Sequence, residues 1–321
     1  MAVAELSAEQ LLTPAEVSQT RLIFRRFTRH KLAVIGAFVL VFLFALAFLG
    51  PFLSPYAPDD LVTLANLAPS GSHVFGSDEI GRDVLTRLMW AGRISLLLAA
   101  VVTLGSTVIG VLLGAVAGYF GGWVDSGTMR VVDFLLTLPL LPMLLILAAM
   151  QQRGGLPIST PAPLNQAFAW VWSMSAVDAE RILILAVILI VFSWMGVARL
   201  VRGQVLALKT QDFTDASRAL GVSDLQIIRQ HMVPNSLPPI IVSATLGFGN
   251  VIILESALSF LGFGVQPPSA SWGNMLNGVR EFMLIQPWRA FVPGLTIFMA
   301  SLSFNFIGDA LRDALDPRLK L

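Results

Sequence analysis

Six long apolar segments constrain the fold of this 321-residue chain more than any other feature. They occupy residues 32–49, 95–120, 131–150, 182–198, 238–263 and 291–307. A helix rises 1.5 Å per residue, so about 20 apolar residues cross the roughly 30 Å hydrocarbon core of a bilayer. Only 13% of the residues are charged, well below the share of about 25% in soluble domains. We therefore predict an all-α membrane protein with six transmembrane helices.

The first apolar segment could also belong to a secretory signal peptide. The tripeptide Ala45-Leu46-Ala47 resembles a signal-peptidase site. The segment is long for the apolar region of a signal peptide, however, and five further spans follow it. We therefore expect an uncleaved first span.

The basic residues predict the orientation of the spans. With the N-terminus inside, 14 of the 21 lysines and arginines fall in inner segments and 7 in outer ones. Inner loops of membrane proteins carry an excess of basic residues, so six spans place both termini in the cytoplasm. Arg82, Arg87 and Arg93, which lie outside near the second span, are the exception.

Sequence motifs give little support for catalysis. The chain has no cysteine, and its three histidines, His30, His73 and His231, are far apart. None of its three lysines follows a glycine, so a Walker A loop is excluded, and GxSxG is absent. We predict no catalytic, cofactor-binding or metal-binding residues on this chain.

Several features predict how the spans pack. Residues 84–96 have helical spacing and are expected to lie along the membrane face before the second span. Gly110, Gly114 and Gly118 recur every four residues, which suits close helix packing within the chain or, alternatively, a dimer contact. Pro139 and Pro142 should kink the third span.

Residues 210–234 form the longest polar interval on the predicted inner side. Asp212 or Thr214 could cap a short helix there, and Gly221 could end it with a positive φ. Phe213, Ala216 and Leu220 would share one face of that helix.

A second helix is predicted to follow directly. Ser223 to Gln226 has the Ser-x-x-Gln form of a capping box. This helix should end near His231, because Pro234 disfavours the α conformation at Val233. The interval therefore reads as a helix–glycine corner–helix whose small apolar ridge docks a partner.

Polar residues inside the fifth span form a second candidate site. Glu255 is ionisable and well inside the apolar segment, with Asn250 and Ser259 nearby. Such residues face protein or water and not lipid. They could line a translocation pathway or make hydrogen bonds between helices.

The corner resembles the EAA loop of binding-protein-dependent ABC importer permeases. That loop has an acidic residue and two small residues, matched by Asp215-Ala216-Ser217, then a glycine and a later proline, matched by Gly221 and Pro234. Asp215 replaces the usual glutamate and Ser217 the second alanine, and both changes keep the charge and the small size.

Three further stretches, residues 76–96, 257–276 and 308–320, resemble the dipeptide/oligopeptide/nickel permease family, and within it the C-type membrane subunit. The resemblance implies a type I ABC importer permease fold. It also implies a set of ATPase-coupling residues: Phe213, Asp215, Ala216, Ser217, Arg218, Leu220, Gly221, His231 and Pro234.

The resemblance also implies a division of the chain. Residues 1–31 would be a cytoplasmic lead, and residues 32–94 the first span and outer loop. Residues 95–310 would form the core permease domain with a coupling loop at 199–237, and residues 311–321 a cytoplasmic tail.

Partners follow from the same resemblance. In that family the subunit forms a heterodimer with a homologous permease. Two cytoplasmic ATPases bind the corners and hold ATP and Mg²⁺, and an extracytoplasmic solute-binding protein delivers a peptide. The chain would contact lipid in a bacterial or archaeal cytoplasmic membrane, without cofactor or nucleic acid of its own.

Alternatives remain open from the sequence. Within the same family the solute could be nickel, glutathione or another small molecule. An ion-coupled carrier would need no ATPase and should show inverted repeats, which the sequence does not display. An intramembrane enzyme would need a nucleophile and base or a carboxylate pair.

Overall fold

The computed structural model describes residues 19–315, and α-helices dominate that range. In chain order they are α1 Gln19–Arg29, α2 Lys31–Phe48, α3 Gly50–Leu53, α4 Val84–Phe120, α5 Gly122–Thr137, α6 Leu140–Gln152, α7 Ala162–Trp172, α8 Ala176–Lys209, α9 Asp212–Ala219, α10 Asp224–Ile227, α11 Val233–Asn235, α12 Leu237–Phe260, α13 Trp272–Gly278 and α14 Pro287–Leu315. The predicted lead and tail lie partly outside the described residues.

Five of these helices are long and apolar enough to cross a membrane: α2, α4, α8, α12 and α14. The pair α5 and α6 makes a sixth span if it is counted as one, because the two meet at a bend of 87°. The bend falls at Leu138 and Pro139, where the helix is interrupted. The predicted all-α fold and the proline kink in the third span are therefore confirmed.

Close packing of α4 against α8 forms the centre of the molecule. A Cβ added at Gly110 would lie 2.6 Å from Val197 Cβ, and one at Gly118 would lie 2.9 Å from the Arg202 carbonyl oxygen. At Gly114 it would overlap the Ala198 carbonyl oxygen. The glycine repeat thus packs within the chain, as one of the two predicted alternatives had it.

The remaining spans pack around this pair. Helix α12 packs on α14, and α14 on α2. Here again small residues allow the approach, because a Cβ at Gly308 would lie 2.7 Å from Leu246 and one at Gly36 would lie 3.1 Å from the Ser303 carbonyl oxygen. The largest buried cluster joins α4, α8 and α12 with Trp172 and Trp272.

The second span differs from the prediction at its N-terminal end. Helix α4 is continuous over 37 residues from Val84, so residues 84–96 extend the span and do not form a separate helix along the membrane. Asp83 caps it by accepting a hydrogen bond from the Thr86 backbone N–H at 2.8 Å. The apolar pattern of 84–96 is helical in either case, and packing on Trp272 and α2 decides its direction.

Candidate functional site

The corner at residues 210–234 consists of α9, a glycine turn and a second helical arm. Gly221 has a φ of 77°, which confirms the prediction that it ends the first helix in the left-handed region. Its N–H donates to the Arg218 carbonyl oxygen, and the Val222 N–H donates to that of Ser217 at 3.1 Å. These bonds close the helix end and set the bend between the two arms.

The predicted cap of the first arm is wrong, whereas that of the second arm is confirmed in position only. Helix α9 begins at Asp212 after Gln211, so neither Asp212 nor Thr214 occupies the cap position. Ser223 occupies the N-cap position of α10 as predicted, but its side chain makes no capping hydrogen bond, so the predicted capping box is not formed. Thr214 is instead fully buried, and its hydroxyl donates to the Leu208 carbonyl oxygen at 2.9 Å. Tertiary contacts, not local caps, therefore hold the starts of both arms.

The predicted end of the second arm near His231 is also wrong. A π-helical turn, Ile228–Met232, follows α10 and leads into α11, so the arm continues to Asn235. Val233 keeps α-helical φ and ψ of −63° and −47° although Pro234 follows it. Its N–H bonds the carbonyl oxygen five residues back, at Ile228, and this wider turn accommodates the proline ring.

The inner face of the corner is part of a buried cluster. Ile227 and Met232 are fully buried, and they pack with Val201 and Val205 of α8 and with Tyr119 of α4. The second arm is thereby embedded between the ends of the two central spans. A displacement of the corner must move those span ends with it.

Tyr119 connects α4 to both arms of the corner. Its hydroxyl donates to Asp224 Oδ1 at 2.6 Å, and the Arg218 guanidinium lies 5.5 Å from its ring centre. Lys209 at the end of α8 lies 5.7 Å from the same ring. The Tyr119 hydroxyl raises the pKa of Arg218, which stays charged. Sequence reasoning missed this tyrosine, since nothing in the local pattern relates residue 119 to residue 224.

The outer face of α9 is exposed. Leu220 is 83% exposed, and the Asp215 side chain is 73% exposed. Ala216, Gly221 and Pro234 are exposed as well, and Ser217 is half-buried. The predicted apolar ridge is divided, because Phe213 turns inwards and its ring lies 6.0 Å from that of His231.

Asp215 and Arg218 pair with each other in this structure. Arg218 Nη1 lies 3.2 Å from Asp215 Oδ1, one helical turn away. The pair is largely exposed, so it contributes little to stability. Both charges remain available at the surface of the corner for a partner.

The structure separates the three candidate pathway residues. Asn250 is exposed on α12, whereas Glu255 and Ser259 are buried together. Ser259 Oγ donates to Glu255 Oε1 at 2.6 Å, and Ser95 Oγ of α4 donates to Oε2 at 3.3 Å. Glu255 thus makes the hydrogen bonds between helices that were one of its two predicted roles.

A network of charges covers the opposite end of the molecule. Asp78 accepts from Arg82 Nε at 2.6 Å, and Glu79 accepts from Arg289 at 2.5 Å. Arg87 pairs with Asp59 at 3.3 Å. These contacts connect the loop before α4 to the start of α14. Arg82 and Arg87, two of the three arginines that did not fit the charge bias, are thus paired with carboxylates.

The third of these arginines lies among aromatic rings. The Arg93 guanidinium carbon is 4.7 Å from the Trp90 ring centre and 5.5 Å from that of Phe52. Its Nη2 donates to the Phe48 carbonyl oxygen at 3.2 Å. Arg93 therefore joins α4 to the end of α2 and is buried.

Comparison with known proteins gives matches along nearly the whole chain. Residues 110–321 match the family model described as binding-protein-dependent transport system inner membrane component. Residues 18–69 match the N-terminal transmembrane domain of oligopeptide transport permease C.

Individual relatives agree with these matches. The chain is 40% identical over 306 residues to the dipeptide transport system permease protein DppC of Bacillus subtilis, covering 95% of this chain and 87% of the relative. It is 36% identical to the glutathione transport system permease protein GsiD of Pectobacterium atrosepticum, covering 92% and 90%. It is 34% identical to the oligopeptide transport system permease protein OppC of Bacillus subtilis, covering 92% and 88%.

Proposed function

The chain belongs to the family of binding-protein-dependent transport system inner membrane components, and from that premise we propose that it is one membrane-spanning subunit of an ATP-driven importer of di- and oligopeptides. It is a multi-pass membrane protein of a transport system. A homologous second permease completes the pathway, and a solute-binding protein delivers the peptide from outside.

The corner carries this proposal. Its outer face presents Asp215, Ala216 and Leu220 to the surroundings, while its inner face is embedded between α4 and α8. A partner that binds the outer face is therefore connected through the corner to both central spans. We propose that each of two cytoplasmic ATPases seats such a corner in a groove, this one through α9.

Coupling follows from the way the corner is anchored. When ATP and Mg²⁺ bind the ATPases and draw them together, α9 moves with its groove. Tyr119, Ile227 and Met232 transmit that motion to the ends of α4 and α8. ATP then favours one of two orientations of the spans by binding it more tightly, as any ligand that shifts a population must. The corner and both termini lie on the cytoplasmic side in this arrangement.

Peptides are the substrate class that the relatives' names favour. Two of those relatives are named for dipeptide and oligopeptide transport and one for glutathione, which is itself a tripeptide. We propose Asn250, exposed on α12, as a residue that faces the peptide path between the two permeases. ATP hydrolysis belongs to the partner ATPases, and this chain is not an enzyme in this proposal.

The test combines purification with transport. The tagged chain is purified from its native membrane in mild detergent, its companions are identified by mass spectrometry, and the complex is reconstituted with a labelled dipeptide and ATP. We expect a second permease, one or two kinds of ATPase, and uptake that requires ATP. Uptake without ATPases would indicate a carrier, and uptake of radioactive nickel in place of the peptide would assign the other solute.

A matched pair of variants tests the docking face. Leu220→Glu places a charge on the exposed face of α9 and should reduce the recovery of ATPase with the chain. Gln166→Glu adds the same charge on exposed α7, at the other end of the protein, and should leave recovery unchanged. Equal recovery with both variants would contradict the assignment of α9 as the ATPase contact.

A further inference from the structure

Glu255 is a fully buried carboxylate whose hydrogen bonds all come from serine hydroxyls. Its side chain is 0% exposed. Within the described residues 19–315, no cationic group forms an ion pair with it, and it interacts with four serine hydroxyls: Ser95, Ser259, Ser256 at 3.5 Å and Ser271. A carboxylate in such a place is costly to bury, so its retention calls for a functional explanation.

Two of these serines, Ser95 and Ser259, also accept hydrogen bonds from one stretch of backbone. Ser95 Oγ accepts from the Trp272 N–H at 3.2 Å, and Ser259 Oγ accepts from the Val265 N–H at 3.0 Å. Ser95 and Ser259 bond different oxygens of the carboxylate, and each of these two serines bonds one end of residues 265–272, which we name the outer segment. A single side chain fixes both ends of the segment against α4 and α12.

Residues of the outer segment line three cavities. Val265 and Gln266 line a cavity of about 260 Å³ beside the Asp78–Arg82 and Glu79–Arg289 pairs, and they also line one of about 510 Å³ beside α8. Pro268, Ser269 and Ala270 line a third of about 310 Å³ beside Trp172. A displacement of the segment would join spaces that it now keeps apart.

We propose that Glu255 is the positioning residue of an outer gate formed by the outer segment. In the closed arrangement the carboxylate holds the segment in place through two relays, each a hydrogen bond from Glu255 to a serine and from that serine to a backbone N–H of the segment. When both relays break, the segment moves and the three cavities merge at the outer end of the path. Because no cation among residues 19–315 pairs with the carboxylate, release breaks only hydrogen bonds that involve serine hydroxyls. The role of this gate in peptide entry rests on the proposed function.

The chain's lack of cysteine allows a direct test. A Ser269→Cys reporter on the outer segment is labelled with a membrane-impermeant maleimide in the intact complex, and the label on this chain is followed over time. Adding Glu255→Ala removes both relays and should raise the labelling rate by about five- to tenfold, the population change expected for losing one or two net hydrogen bonds. Ser95→Ala and Ser259→Ala should raise it less.

Three controls separate a gate from general loosening. Ser106→Ala removes another buried hydroxyl of α4, one that donates only to the Thr103 carbonyl oxygen of its own helix, and should leave the rate unchanged. Glu255→Gln keeps the shape and one acceptor oxygen, but its Nε2 cannot accept from a serine hydroxyl, so its rate should lie between those of the parent and Glu255→Ala. A second reporter, Ala179→Cys, is fully buried in α8 and should remain unlabelled in every variant.

The outcomes are separable from those of the transport assay. An unchanged Ser269→Cys rate in the Glu255→Ala protein would overturn the gate, as would an equal rise at the Ala179→Cys reporter. The labelling needs neither peptide nor ATP. If the parent complex imports no peptide, the proposed function fails while the labelling ratio still decides whether Glu255 positions the outer segment.

Discussion

The Tyr119 hydroxyl lies 2.6 Å from Asp224 Oδ1 and joins the C-terminal end of α4 to the second arm of the corner. The two residues are 105 positions apart in the chain. The first arm of the corner contacts the same tyrosine, because the Arg218 guanidinium lies over its ring. Tyr119 therefore contacts both arms. The corner and α4 therefore form one mechanical unit.

Tyr119→Phe tests that unit. The change removes only the hydroxyl, so the chain should fold, while the loss of one hydrogen bond to a charged group costs about 1.5–3 kcal/mol at the corner. We expect fewer peptides imported per ATP hydrolysed by the reconstituted complex. Tyr56→Phe, at the chain's other tyrosine, is the matched control and should keep that ratio. An unaltered ratio in the Tyr119→Phe complex would separate the hydroxyl from coupling.

Gly221→Val tests the bend between the arms. A β-branched residue at a φ of 77° is strained by about 1–3 kcal/mol. We expect the variant to reach the membrane but to hydrolyse ATP with little peptide uptake. Gly203→Val lies inside α8 with open space around its Cβ and should transport normally. Normal uptake by the Gly221→Val complex would refute the corner as a rigid lever.

Gly114→Val tests the contact between α4 and α8. Its Cβ would overlap the Ala198 carbonyl oxygen, and overpacking of this kind costs about 1–3 kcal/mol. We expect a lower melting temperature for the detergent-purified chain. Gly196→Val, where nothing lies within 4 Å of the added Cβ, should melt near the parent temperature. Equal melting temperatures for the two variants would mean that close contact between α4 and α8 does not contribute to stability.

Asp125→Asn tests the attachment of the bent span. Asp125 receives two hydrogen bonds from Arg202, one of them at 2.6 Å, and its side chain is 16% exposed. Asp133 pairs with Arg199 but is 61% exposed. A more buried, two-point pair contributes more than an exposed one, so Asp125→Asn should lower the melting temperature more than Asp133→Asn. The reverse order would contradict this ranking.

Features that depend on neighbouring residues were predictable from the sequence. The apolar segments give the spans, the proline at position 139 gives the break between α5 and α6, and the glycine at 221 gives the turn with a positive φ. Each of these follows from hydrocarbon thickness or from backbone sterics, which act within a few residues.

Features that depend on distant partners were not predictable. Ser223 is at the predicted N-cap position without the predicted capping hydrogen bonds, and the helix end at His231 was wrong because burial of Ile227 and Met232 against α8 outweighs the preference before proline. Of the two alternatives for Glu255, the contacts with Ser95 and Ser259 select hydrogen bonding between helices, and only the folded chain brings residues 95 and 255 together.

The sequence by itself determined that this chain crosses a membrane several times, carries a glycine corner between two spans and resembles importer permeases. Tertiary structure alone decided which face of the corner is exposed, that Tyr119 contacts both of its arms, and that Glu255 bonds the two serines that bond the ends of the outer segment. The physical reason is the distance along the sequence over which each property is set. Hydropathy and backbone conformation are local properties, whereas burial and hydrogen-bond partners are set by helices that meet across more than a hundred residues.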